Sequence, residues 1–189
     1  MFADVIEQLQ RPEWTAALYR HVELSALAVL VGILVSIPLA VAVSRSPRIA
    51  LTVINFTNLG RSIPDIALLA FFLIFLGIGY WTAEAALILL SIPPILINTV
   101  TGLNQVDERV IDSARGMGLS GRQILTGVRL PLAAPVIFAG IRTSAVQVVA
   151  GATLATFVGG GGLGNFIVEG FAGFIEQLQR PEWTAALYR

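Results

Sequence analysis

The sequence contains no cysteine and a single histidine, His21. Disulfides, thiolate nucleophiles, zinc-thiolate centres and multi-histidine metal sites are therefore all excluded. Lysine is missing too, because all 12 basic residues are arginines, and with it go the lysine of a phosphate-binding P-loop and that of a Schiff base. Charge of either sign is scarce: 13% of the 189 residues are charged, against about 25% in a soluble domain. The 12 arginines balance 12 Asp and Glu, so the chain lacks the basic footprint of a nucleic-acid binder. A hydrophobic content of 56% is equally incompatible with disorder. Lipid, more than water, suits this composition.

What is present is a set of long uncharged runs. Glu23 to Arg45 encloses 21 uncharged positions, Asp65 to Glu84 encloses 18, Glu84 to Asp107 encloses 22, and Arg142 to Glu169 encloses 26. A helix needs about 20 residues to cross the hydrocarbon core, so four spans are expected, near 23–43, 52–77, 83–103 and 132–158. The second is expected to enter through Asn55-Phe56-Thr57-Asn58 and to bend at Pro64. Ala40-Val41-Ala42 fits a signal-peptidase site. The apolar stretch before it is too long for a signal peptide and its leading residues are not basic, so it reads as a retained span.

Arginine placement sets an orientation, because cytoplasmic loops collect basic residues. Arg45 and Arg48 follow the first span, and Arg109, Arg115, Arg122 and Arg129 lie between the third and fourth, whereas residues 78–82 carry none. The N-terminus is expected outside. The long polar stretch 104–131 then faces the cytoplasm and reads as two short helices. Asp107 caps the first, Gly116 or Gly118 ends it in a left-handed residue, and Ser120-x-x-Gln123 is a capping box for a second helix reaching about Val128 before Leu130-Pro131 opens the next span.

Within that stretch, Asp112-Ser113-Ala114, three residues, Gly118, nine residues and Val128-Arg129-Leu130-Pro131 resemble the Glu-Ala-Ala loop of ABC importer permeases. Asp stands where the family has Glu, Ser where it has Ala, and Val where it has Ile. Further stretches, Arg61-Ser62-Ile63-Pro64, Ser91 to Thr99, Ala139 to Ser144 and Ala152 to Gly164, look like the osmoprotectant permeases, which import glycine betaine, carnitine, choline or related quaternary amines. The likeness covers about residues 22–171. It implies an all-α polytopic membrane protein with a type I ABC importer, methionine-permease-like, transmembrane fold in the prokaryotic cytoplasmic (inner) membrane. It further implies that Asp112, Ser113, Ala114, Gly118, Val128, Leu130 and Pro131 form an ATPase-coupling loop. The expected partners are a separate ABC ATPase that uses ATP and Mg, a second permease subunit (identical or not), and an external substrate-binding protein. No cofactor is expected on this chain, and no catalytic or metal-binding residue. Permeases for methionine or another small solute are the nearest alternative. A stand-alone channel or secondary transporter would have no need of the cytoplasmic loop.

Other features carry two readings each. Gly159-x-Gly161-x-x-Gly164 matches a dinucleotide fingerprint formally, but it follows a membrane span instead of a strand. Arg61 and Asp65 stand four apart near the second span and either pair structurally at the Pro64 bend or serve the solute path. Arg142, with 12 uncharged residues before it and 26 after, is open to the same two roles. Glu84 is expected at the outer interface. Phe71, Phe72 and Phe75 share a helix face and read as lipid-facing or packing residues, and no aromatic cage for a quaternary amine stands out. Residues 175–189 repeat residues 6–20 without a difference. The expected division is therefore a permease domain over 1–173 and a duplicated copy over 174–189, either an artefact or an interfacial helix. The final span usual in the family is expected to be missing.

Overall fold

The computed structural model describes residues 12–60 and 62–178, so Arg61, residues 6–11 of the first repeated segment and residues 179–189 of the second lie outside the described residues. The helices are α1 (Pro12–Val43), α2 (Pro47–Gly60), α3 (Asp65–Leu76), α4 (Tyr80–Asn104), α5 (Glu108–Gly116), α6 (Gly121–Ile124), α7 (Leu130–Ala152) and α8 (Gly164–Leu178). A π-turn, Leu125–Arg129, joins α6 to α7, and a 3-10 turn, Thr153–Val158, extends α7. Among the described residues there is no strand.

Among the described residues three helical stretches are long and apolar enough to cross a membrane: Pro12–Val43, Tyr80–Asn104 and Gly121–Val158. The first begins well before residue 23, where its span was expected, because Pro12 and Glu13 supply a favourable first turn. The expected second span is not one bent helix. Pro64 is extended, with φ −60° and ψ 138°, and its ring pushes the preceding residue out of the helical region. Its carbonyl instead accepts from Ala67 N at 2.9 Å, opening a new helix. Residues 52–77 therefore divide between α2 and the 12-residue α3. The second loop helix does not stop at Val128 either. It passes through the π-turn into α7, with Leu130 N reaching back to Leu125 O; the wide turn sits just before Pro131, which has no N–H to offer a regular one. Helix α8 runs uninterrupted past residue 173, the expected boundary.

The bundle is built on α4, which packs against α1, α7 and α3. Small residues let these helices approach. A β-carbon on Gly140 of α7 would stand 2.6 Å from Asn98 Cβ and 2.9 Å from Pro94 O, and Gly32 of α1 is closed off in the same way by Ser91. Serine hydroxyls stitch the middle of α4, where Pro93 and Pro94 remove two donors. Ser144 Oγ of α7 donates to Ser91 O at 2.9 Å, and Ser36 Oγ of α1 donates to Ile92 O at 3.2 Å. The largest core cluster, including Leu24, Leu69, Leu87 and Val148, fills one end of this bundle. Outward-facing Leu34 and Ile74 are 64% and 80% exposed, part of an apolar surface too extensive for water.

Candidate functional site

The loop between α4 and α7 is assembled from local signals. Asp107 Oδ1 accepts from Arg109 N at 2.9 Å, capping α5, while the Arg109 guanidinium holds the same carboxylate through Nη2 at 2.8 Å. These donors, the guanidinium first and the amide second, keep Asp107 below the usual carboxylate range. At the other end Gly118 N donates to Arg115 O at 2.9 Å and Leu119 N to Ala114 O at 3.2 Å, a Schellman pair with Gly118 at φ +83°. Of the two glycines that could end α5, Gly118 takes the left-handed turn and Gly116 remains helical. Ser120 and Gln123 form the reciprocal capping box of α6.

This loop projects a polar knob. Asp112 and Ser113 are exposed, Asp112 meets Arg115 at 3.2 Å as a surface pair, and Met117 is 73% exposed at the tip. Ala114 and Ile124 alone point inward, at 2% and 5% exposure. Val128 and Leu130 are half-buried and Pro131 is exposed along the stretch that leads into α7. Behind the knob lies a cleft of about 1150 Å³ lined by Val41, Arg45, Asp112 and Leu125 among others. Sequence reasoning missed the tie that anchors the knob: Arg129 Nη2 donates to Leu103 O at 2.8 Å, capping the end of α4. No spacing rule links an arginine to a carbonyl 26 residues earlier.

The opposite end is held by long-range contacts. Arg20 Nε donates to Gly160 O at 3.3 Å, its guanidinium lies 4.2 Å from the Tyr80 ring centroid, and it pairs with Glu23 at 3.1 Å. His21 is buried, with Nε2 3.0 Å from Val149 O and Nδ1 3.4 Å from Leu163 N. A proton on Nε2 satisfies both bonds at once. These two α1 residues grip a loop in which Gly159, Gly161 and Gly162 all have positive φ, and Gly79 N closes the other side on Val158 O at 2.7 Å. Glu84 departs from expectation. It is not solvent-facing but 1% exposed within the bundle, and neither carboxylate oxygen has a hydrogen-bond partner.

Asp65 and Arg142 are not brought together. Asp65 is half-buried at the start of α3 and faces Gly151 of α7, its Oδ2 3.9 Å from where a β-carbon would stand there. Arg142 is exposed, nine positions earlier on α7, and no ion pair joins it to an acid among the described residues. Whether Asp65 pairs with Arg61 lies outside the described residues. Phe71 and Phe75 are 52% and 69% exposed, their rings 5.0 Å apart, a lipid-facing pair in keeping with the sequence reading. Among the described residues no cluster of His, Asp or Glu has the makings of a metal site.

A family model described as the binding-protein-dependent transport system inner membrane component matches residues 13–187. Curated relatives include the choline transport system permease protein of Bacillus subtilis (strain 168), 43% identical over 165 residues, covering 87% of this chain and 74% of the relative. The glycine betaine/carnitine/choline transport system permease protein of the same organism is 43% identical over 163 residues, covering 86% and 73%. The carnitine transport permease protein of Listeria monocytogenes is 42% identical over 164 residues, covering 87% and 73%. Among solved structures, an inward-facing form of the MetNI methionine ABC transporter superposes with a TM-score of 0.76 at 23% identity, over 96% of this chain and 89% of that one.

Proposed function

The chain belongs to the family of binding-protein-dependent transport system inner membrane components, and from that premise we propose that it is the membrane permease of an ABC importer for quaternary-amine osmoprotectants such as glycine betaine, carnitine or choline. The observation that carries the reading is the identity, above 40%, to permeases of these solutes over more than four-fifths of the chain. The methionine transporter shares the fold at 23% identity, which supports the architecture and says nothing of the solute.

In this reading the N-terminus lies outside, and the α5-Gly118-α6 knob meets a separate ATPase that binds ATP and its Mg ion. Asp112, Ser113, Ala114 and Gly118 form the joint, and Val128, Leu130 and Pro131 carry it into the membrane. A second permease completes the path, an external binding protein delivers the solute, and this chain supplies no catalytic group. The continuity of Gly121–Val158 supports a mechanical role: 38 helical residues run from the knob to the glycine loop gripped by Arg20 and His21. Motion imposed at one end of such a rod reaches the other as a rigid-body rotation, which is what alternating access requires.

The test is reconstitution of the chain in vesicles with and without its ATPase and binding protein. Uptake of labelled glycine betaine or choline that requires both, together with ATP, is the expected result. Equal uptake by the chain alone would replace this reading with that of a channel.

A further inference from the structure

One face of α7 is at odds with a lipid surround. Its inner side is small and buried, through Ala133, Ile137, Gly140, Ser144 and Val148. Its outer side carries Phe138 and Val146, 67% and 66% exposed, with exposed Arg142 between them. At 1.5 Å per residue Arg142 stands roughly 18 Å along the helix from Leu130, near the middle of a span about 30 Å thick. A guanidinium at that depth is retained where it faces water or a partner, and among the described residues no acid pairs with it. The same face is hollowed into a depression of about 800 Å³ lined by Phe138, Arg142, Thr143 and Gln147 among others. Thr143 keeps its hydroxyl on Ala139 O at 2.9 Å, which leaves Arg142 as the strong donor.

We propose that Phe138 and Arg142 form a zwitterion-reading pair on the solute path, the arginine donating to the carboxylate of a betaine or carnitine while the phenyl face receives the quaternary ammonium. The two residues are four apart on one helix face, so their side chains stand about 5–6 Å from each other at the β-carbon. That separation suits a solute whose opposite charges are a few bonds apart. A quaternary ammonium has no proton to donate, so an aromatic face is its natural contact, whereas a carboxylate is matched by the guanidinium fork. Arg142 lies farther than Phe138 from the knob, so the solute is held with its carboxylate toward the glycine-loop end. Choline lacks the carboxylate and gains nothing from Arg142. The assignment rests on the osmoprotectant reading above.

The experiment uses the complete importer in vesicles and measures uptake of labelled glycine betaine and choline side by side. Arg142→Gln is expected to lower the betaine-to-choline uptake ratio roughly 10- to 100-fold, the loss that accompanies removal of a charge-assisted hydrogen bond. Arg142→Lys, which keeps the charge and loses the fork, is expected to fall between the two. Phe138→Ala is expected to lower uptake of both solutes with little change in their ratio. Should Arg142→Gln not reach the membrane, the lysine variant carries the same ratio test. A parallel loss for both solutes, or an unaltered ratio, overturns the pair while leaving the osmoprotectant reading in place. A wild-type importer that moves choline but not betaine also overturns it, and one that moves neither overturns both.

Discussion

The two ends of the bundle are held together in different ways. Within the knob the contacts that shape the turn are short-range: Asp107 to Arg109, Gly118 to Arg115, and Ser120 to Gln123 span two or three residues each, and its tether to α4, Arg129 to Leu103, spans 26. At the glycine-loop end the defining contacts, Arg20 to Gly160 and His21 to Leu163, span 140 and 142 residues. The knob is thus a locally specified object whose shape survives exposure to water, while the opposite end exists only when α1 and the end of α7 have already packed. The joint proposed for the ATPase would benefit from the first kind of construction, since its shape does not wait on the packing of distant helices.

Substitutions can break this contrast, and the largest effect is expected at Gly118. Gly118→Val forces a β-branched residue into φ +83°, a backbone cost of about 1–2 kcal/mol, and misaims the knob although no neighbour lies within 4 Å of the added carbon. The variant is expected to reach the membrane yet lose solute-stimulated ATP turnover with its ATPase. Gly116→Ala, two residues away and helical, is expected to be neutral or slightly stabilising. A matching loss at Gly116 would show that the turn itself is not what matters.

A smaller effect on transport coupling is expected at the other end. His21→Ala removes the links to Val149 O and Leu163 N and leaves both groups unpaired, at a cost of roughly 1–3 kcal/mol. Thermal unfolding in detergent should shift downward while ATPase association at the knob stays as in the wild type. If association falls as well, the two ends are not separately specified. Asp112→Ala is expected to be weaker still for stability. Its pair with Arg115 is about 69% exposed on both sides, and such pairs contribute less than about 1 kcal/mol. Any strong loss of coupling in this variant would therefore report contact with the ATPase and not folding.

The smallest expected effect is on pH. Asp107 is held below its ordinary range by Arg109. A depressed carboxylate contributes stability that is present above its unfolded pKa, about 3.9, and is lost as pH falls through the lower folded value. Order in the knob, followed by amide exchange of residues 107–118, should be flat from neutral pH down to about 4 and decline only below it. Asp107→Asn should abolish that acid-side decline.

Residue types and their order were sufficient for whatever depends on the chain alone. Long uncharged runs dictated apolar helices, since unpaired backbone groups are intolerable in hydrocarbon. The loop's caps, its left-handed glycine and its capping box all follow from side chains that reach their own backbone within a turn. The resemblance of that loop to the permease motif was legible for the same reason. Only the tertiary structure decided which of two glycines turns the loop, that Pro64 separates two helices instead of bending one, and that the helix of the knob continues into α7. It alone joined Arg129 to Leu103, His21 to the glycine loop, and left Glu84 buried without a donor. In the last three the outcome depends on which distant groups the packed helices bring to a shared space, and neither spacing nor composition records that meeting.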